Sequence, residues 1–143
     1  MIIRSLILPE HFVDCIKRET LRRRMGSWKL LSNFDGYGNP IETEIGEIYH
    51  TATEIEAESA LLPQYFPPTV STAVDDLFVE PGFIPYINYF DLILTFGISS
   101  DGAPFCFDYR DGDAPSVIWW DDVYWRRVAP NFTSFVELFD MTQ

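Results

Sequence analysis

Asp101, Asp108, Asp111, Asp113, Asp121 and Asp122 crowd six carboxylates into one stretch of the chain. Carboxylates at short spacing bind hard cations or move protons. A calcium loop needs oxygen ligands at alternate positions and a distal bidentate Glu. Asp111-Gly112-Asp113 has the alternate spacing, but no Asp/Asn-Gly follows and no Glu closes the loop. Paired acids also serve glycosidases, yet nothing here singles out one acid and one base. Cys106 could act as a nucleophile if folding brought His11 or His50 to it. Its place between Phe105 and Phe107, in an alternating run, is a core address instead. Cys15 and Cys106 lie 91 positions apart without a Cys-x-x-Cys pair, which reads as two reduced, buried thiols. Two Cys and two His, all distant in sequence, make a weak zinc set. Neither a Gly-x-Ser-x-Gly elbow nor a Gly-x-x-x-x-Gly-Lys phosphate loop occurs. The residues therefore give no catalytic set, no metal and no cofactor.

Charge narrows the partner. The 143-residue chain carries a net charge of −12. Residues 1–30 hold seven Lys/Arg and three acids, for +4, and the remainder holds three Lys/Arg and nineteen acids, for −16. So acidic a body repels phosphate backbones, which argues against nucleic acid, and it suits a basic protein, whose encounter charge would speed and select. The competing reading is that the charge serves solubility alone. No apolar run is long enough to cross a bilayer, and the first ten residues lack the features of a signal peptide. The expected setting is the cytoplasm.

The elements that would position these residues follow from pattern. Length predicts one domain over 1–143. Pro9 and Glu10 open a helix with an apolar stripe at Phe12, Val13, Ile16 and Thr20, ending at Arg22–Arg24 and Gly26. Trp28 to Phe34 is a strand candidate, followed by a turn at Asp35-Gly36. Over 41–50 the residues alternate, with Ile41, Thr43, Ile45, Glu47 and Tyr49 on one face and Glu42, Glu44, Gly46, Ile48 and His50 on the other. Thr53 and Glu56 fit a capping box for a short helix. On that helix Glu54 and Glu58 stand four apart, a like-charge pair costing about 0.3 kcal/mol that a use for the acids would offset. Residues 51–82, punctuated by Pro63, Pro67, Pro68 and Pro81, form an elaborated connection with one or two helical turns at 71–78. Residues 89–96 read as a central strand covered on both faces. Residues 103–110 alternate, with Phe105, Phe107 and Tyr109 opposite Cys106, Asp108 and Arg110. Residues 116–120 form a further strand, on which Trp119 and Trp120 face opposite ways; either one is core and the other lies near the surface as an interface anchor, or helices cover both. Asn131 caps a last helix whose Phe132, Phe135, Val136 and Phe139 make a core face, with Ser134 and Glu137 as an alternative capping box a few residues on.

Residues 83–139 carry a more specific pattern. Phe96-Gly97-Ile98 leads to Asp101-Gly102, then Pro104 to Phe107-Asp108 and Arg110. Pro115, Val117, Trp119-Trp120, Trp125-Arg126, Ala129-Pro130, Phe132 and Phe135 follow. Together with Leu8-Pro9 and Phe12, this resembles the SUKH superfamily, in its branch related to the fungal cell-wall-synthesis regulators. The resemblance covers about half the chain, and its motifs are structural; residues 30–82 match poorly. It implies an α+β fold, a mainly antiparallel sheet with helices packed against it, and a non-enzymatic role. Bacterial members of that type act as immunity proteins, binding and neutralising a cognate polymorphic toxin in the cytoplasm. Other members are regulatory or adaptor modules. Under that reading the partner is a basic toxin protein such as a nuclease, with no nucleic acid and no membrane. Asp101 and Asp108 then belong to the scaffold, and the candidate contacts are Glu42, Glu44, Glu47, Asp111, Asp113, Trp120, Asp121 and Asp122.

Overall fold

A computed structural model describes residues 1–18, 27–66, 84, 87, 89–122 and 124–140. Its elements in order are β1 (Ile2–Ile3), β2 (Leu6–Ile7), α1 (Glu10–Lys17), β3 (Trp28–Lys29), β4 (Glu44–Ile48), α2 (Ala52–Ala60), α3 (Leu62–Tyr65), β5 (Ile93–Ser99), β6 (Pro104–Asp108), β7 (Ser116–Asp121), β8 (Tyr124–Ala129) and α4 (Phe132–Glu137). Strands β3 to β8 form one antiparallel sheet in sequence order, and β1 and β2 form a separate hairpin. The fold is α+β, as the sequence predicts. The expected end of the first helix beyond residue 18 and the expected helical turns at 71–78 lie outside the described residues.

The sheet is buried on both faces because α1 and α4 cover one and α3 reaches the other. On the first face Phe96, Phe105 and Phe107 meet Phe12 of α1 and Phe132, Phe135 and Phe139 at the end of the chain. Phe96 stacks on Phe107 at 4.2 Å, and the Phe12 ring stands edge-on to Phe107 and Phe132, each at 5.3 Å, the offset and edge arrangements that aromatic quadrupoles favour. The second face holds Ile93, Cys106, Ile118 and Trp125 against Leu62, Ile84, Ile87 and Phe90. Residues 104–108 alternate between these two cores as expected. Trp119 is in the first core, and Trp120 lies half-buried on the second face. Cys106 is fully buried, with Sγ 3.4 Å from Thr95 Oγ1, and burial pushes its thiol up to about 12. That holds it as an unreactive thiol at neutral pH. His11 packs edge-on against Phe132, and its Nδ1 lies 2.8 Å from Thr133 Oγ1, on the side of α1 and α4. No nucleophile pair with Cys106 forms there.

Bulges correct the expected alternation. Ile45 pairs with Ser99 and Glu47 with Ile98, so Gly46 is the extra residue in β4. The bulge turns Ile45 and Ile48 into the same core, where strict alternation would separate them. Gly46 suits the place because a Cβ there would meet the Ser99 carbonyl oxygen at 3.0 Å. The capping box also moves. Thr51 is the N-cap of α2, and its hydroxyl accepts from Glu54 N–H at 3.1 Å. Glu54 Oε1 reaches back to the His50 N–H at 3.3 Å. Asn131 caps α4 as expected, accepting from Ser134 N–H at 2.8 Å. The sequence reading missed β8, whose Arg126-Arg127 pair resembles a solvated stretch.

Both sheet margins are occupied by backbone. The Val128 carbonyl accepts from Gly36 N–H at 2.8 Å and the Trp125 carbonyl from Ile84 N–H at 3.3 Å. At the other margin Leu31 N–H donates to Leu138 and Asp140 N–H to Lys29. These contacts blunt edges that could otherwise recruit another strand. The β1–β2 hairpin turns on Arg4 and Ser5, both with positive φ, at 54° and 66°. Two such residues suit Asn-Gly better. Arg4 gains compensation from Glu56 Oε1 and the Phe90 carbonyl, each at 3.3 Å. Ser5 is exposed, so Ser5→Gly should relieve strain and raise stability by about 0.5–1 kcal/mol, or roughly 2–4 °C in Tm. A thermal melt showing no rise would contradict that.

Candidate functional site

In an antiparallel meander successive turns alternate between the two ends of the sheet. The β5–β6 turn at 100–103 and the β7–β8 turn at Asp122 share one end, and the β6–β7 turn at 109–115 lies at the other. This topology divides the expected contacts. The Glu44 carbonyl accepts from Ser100 N–H at 2.9 Å, placing Glu44 beside the first turn. Glu42 and Glu44 line a cleft of about 380 Å³ with Asp101 and Lys29. Glu42 and Asp121 line an adjoining cleft of about 570 Å³ with Asn33 and Arg126. Asp122, with φ 63°, occupies the tight turn after β7, a conformation that Asp tolerates better than most residues. Asp111 and Asp113 are exposed at the opposite end, and the eight residues do not form one patch.

Several of these carboxylates are already engaged. Glu44 accepts from Ser27 Oγ at 2.9 Å and lies 3.4 Å from Lys29 Nζ; the Ser27 bond holds its carboxyl below the usual range. Asp121 accepts from Arg126 Nη1 at 2.9 Å, and Asp111 lies 3.3 Å from Arg127. Trp120 packs its ring on Phe66 at 5.0 Å and Trp125 at 5.5 Å, more a wall of the second core than a protruding anchor. Asp108 forms a two-pronged pair with Arg110, at 2.9 and 3.0 Å. Asp101 accepts from Ser99 Oγ. Glu42, Asp113 and Asp122 are exposed.

Glu47 belongs to a different surface. It opens onto a groove of about 590 Å³ between α2–α3 and the sheet, with Tyr49, Glu58, Tyr65, Phe66 and Ile98 among its lining residues. The groove exists because β4 leaves β5 after Tyr49, whose N–H donates to Phe96 at 2.8 Å. Helix α2 then takes β4's place beside β5. Ser59 Oγ accepts the Thr95 N–H at 2.8 Å, replacing the missing ladder bond. Of the groove residues only Glu47 is a predicted contact. The acidic pair Glu54 and Glu58 was the signal for the rest, since both line it.

A family model described as the SMI1 / KNR4 family (SUKH-1) matches residues 8–138. The chain belongs to the SMI1/KNR4 family. The match spans α1 through α4, so it includes the region at 30–82 where the sequence pattern was weak. Neither a curated protein nor a solved structure matched the chain. Membership fixes the SUKH fold and points to protein partners. Among the described residues no helix is long and apolar enough to cross a membrane, and no group of three or more His, Cys, Asp or Glu is placed to hold a metal ion.

Proposed function

We propose that the protein is a non-enzymatic immunity protein of the cytoplasm, binding and neutralising a cognate polymorphic toxin with a basic surface, such as a nuclease. The observation that carries this reading is the acidic end of the sheet. There Glu42 joins two adjoining clefts shared with Glu44 and Asp121, and Asp122 projects from the neighbouring turn. SUKH membership and a net charge of −12 support it. Like-signed charge on one face raises encounter rates with an oppositely charged partner by about 10–1000-fold at low salt.

Co-expression with the product of an adjacent toxin-like gene should restore growth. Glu42→Lys combined with Asp122→Asn should weaken the complex at least about tenfold, mostly through slower association. Asp113→Lys, at the far end, should leave it unchanged. Failure of the unaltered protein to protect cells would overturn the reading and favour a regulatory adaptor, for which pull-down of an endogenous partner would be expected.

A further inference from the structure

The groove beside α2 has features that the acidic end of the sheet lacks. Tyr49 is 6 % exposed and lines the groove. Half-buried Glu58 also lines the groove, with no cation beside it among the described residues. Burial, and after it the Glu58 charge, push the Tyr49 hydroxyl up to about 12, so it stays protonated and can donate or accept. Glu47 stands on the opposite wall, on β4. Phe66 and Ile98 supply apolar surface, and the Tyr65 ring is 66 % exposed at the rim.

We infer that this groove takes a lysine or arginine side chain from the protein partner, with its head between Glu58 and Glu47 and its stem along Phe66 and Ile98. The Tyr49 hydroxyl accepts one of its N–H groups, and Tyr65 covers the cation with its ring face. A groove of about 590 Å³ has room for that side chain and an apolar neighbour. Two carboxylates and aromatic walls reject an acidic or neutral polar side chain, because its burial would leave Glu58 uncompensated. The inference rests on the toxin-neutralising reading only for the identity of the partner.

The test titrates the 15N-labelled full chain with acetyl-Leu-Arg-Leu-amide and with the same peptide carrying neutral citrulline. The arginine peptide should bind with a millimolar dissociation constant and shift amides at 47–49, 58 and 98. Citrulline should weaken binding about tenfold, and Glu58→Gln should do the same. Tyr49→Phe, which keeps the ring volume, should weaken it about threefold; should that variant misfold, the Glu58→Gln arm decides. Equal binding of the two peptides, shifts centred on 42–44 and 121–122, or no binding at about 10 mM peptide would overturn the groove assignment. In the toxin challenge, full protection by Glu58→Gln would overturn the groove and leave neutralisation standing. A wild-type chain that fails to protect would overturn neutralisation, and the peptide titration would still judge the groove.

Discussion

Replacing Asp35 by alanine is expected to destabilise the protein by about 3–5 kcal/mol, the cost of leaving a buried charge without its partner. Asp35 and Arg126 are each 6 % exposed. Arg126 Nη2 donates to Asp35 Oδ2 and to the Pro40 carbonyl, the latter at 3.0 Å, and Nη1 donates to Asp121. Asp35 Oδ1 accepts the N–H groups of Tyr37 and Asn39 at 2.8 and 3.1 Å. One carboxylate therefore shapes the turn, fastens the loop over β8 and neutralises a guanidinium inside the fold. Its removal leaves Arg126 with the half-buried Asp121 as its one carboxylate, beside the Pro40 carbonyl, and frees two backbone donors. A domain is stable by only about 5–15 kcal/mol, so the variant should unfold at much lower urea. Asp35→Asn with Arg126→Met removes both charges and should cost less than the two single changes added together. Strict additivity, or a loss below about 1 kcal/mol for Asp35→Ala, would show that the pair does not fasten the loop.

Gly97→Ala should cost about 3 kcal/mol, at the upper end of overpacking. A Cβ at Gly97 would lie 2.6 Å from the Glu47 carbonyl oxygen and 3.0 Å from Ile48 Cδ1. The nearest atom is backbone, so no side-chain rotation relieves the clash, and β4 must move off β5. Glu47 and Tyr49 move with it, so the groove should open as stability falls. Urea denaturation measures the first effect, and the arginine-peptide titration measures the second. A variant with wild-type stability would mean that β4 and β5 are not held as closely as Gly97 allows.

What the sequence shows follows from how local each signal is. Pro104–Asp108 is legible because a central strand with two different cores keeps strict alternation. Asn131 and the phenylalanines after it announce α4, since cap and stripe lie within one short segment. β8 is hidden because Arg126 is buried by Asp35, a partner 91 residues away. The expected faces of β4 fail at Gly46, where one extra residue breaks a period of two. The start of α2 moves from Thr53 to Thr51 because His50 and Glu54 complete the box there. For the site, the charge asymmetry and the Glu54/Glu58 pair are visible in the chain. The division of the acids between two ends of a meander is not, because it depends on the pairing order of the strands. Tyr49 is likewise hidden, because it meets the groove only where β4 leaves the sheet.

Stopped-flow association of the purified chain with the basic toxin proposed as its partner, the product of a toxin-like gene beside its own, bears most directly on binding to a basic partner when followed at rising salt. A stoichiometric complex should form whose association rate falls at least about tenfold between 0.01 and 0.5 M salt as the charges are screened, with dissociation changing far less. No complex, or an association rate indifferent to salt, would contradict the account.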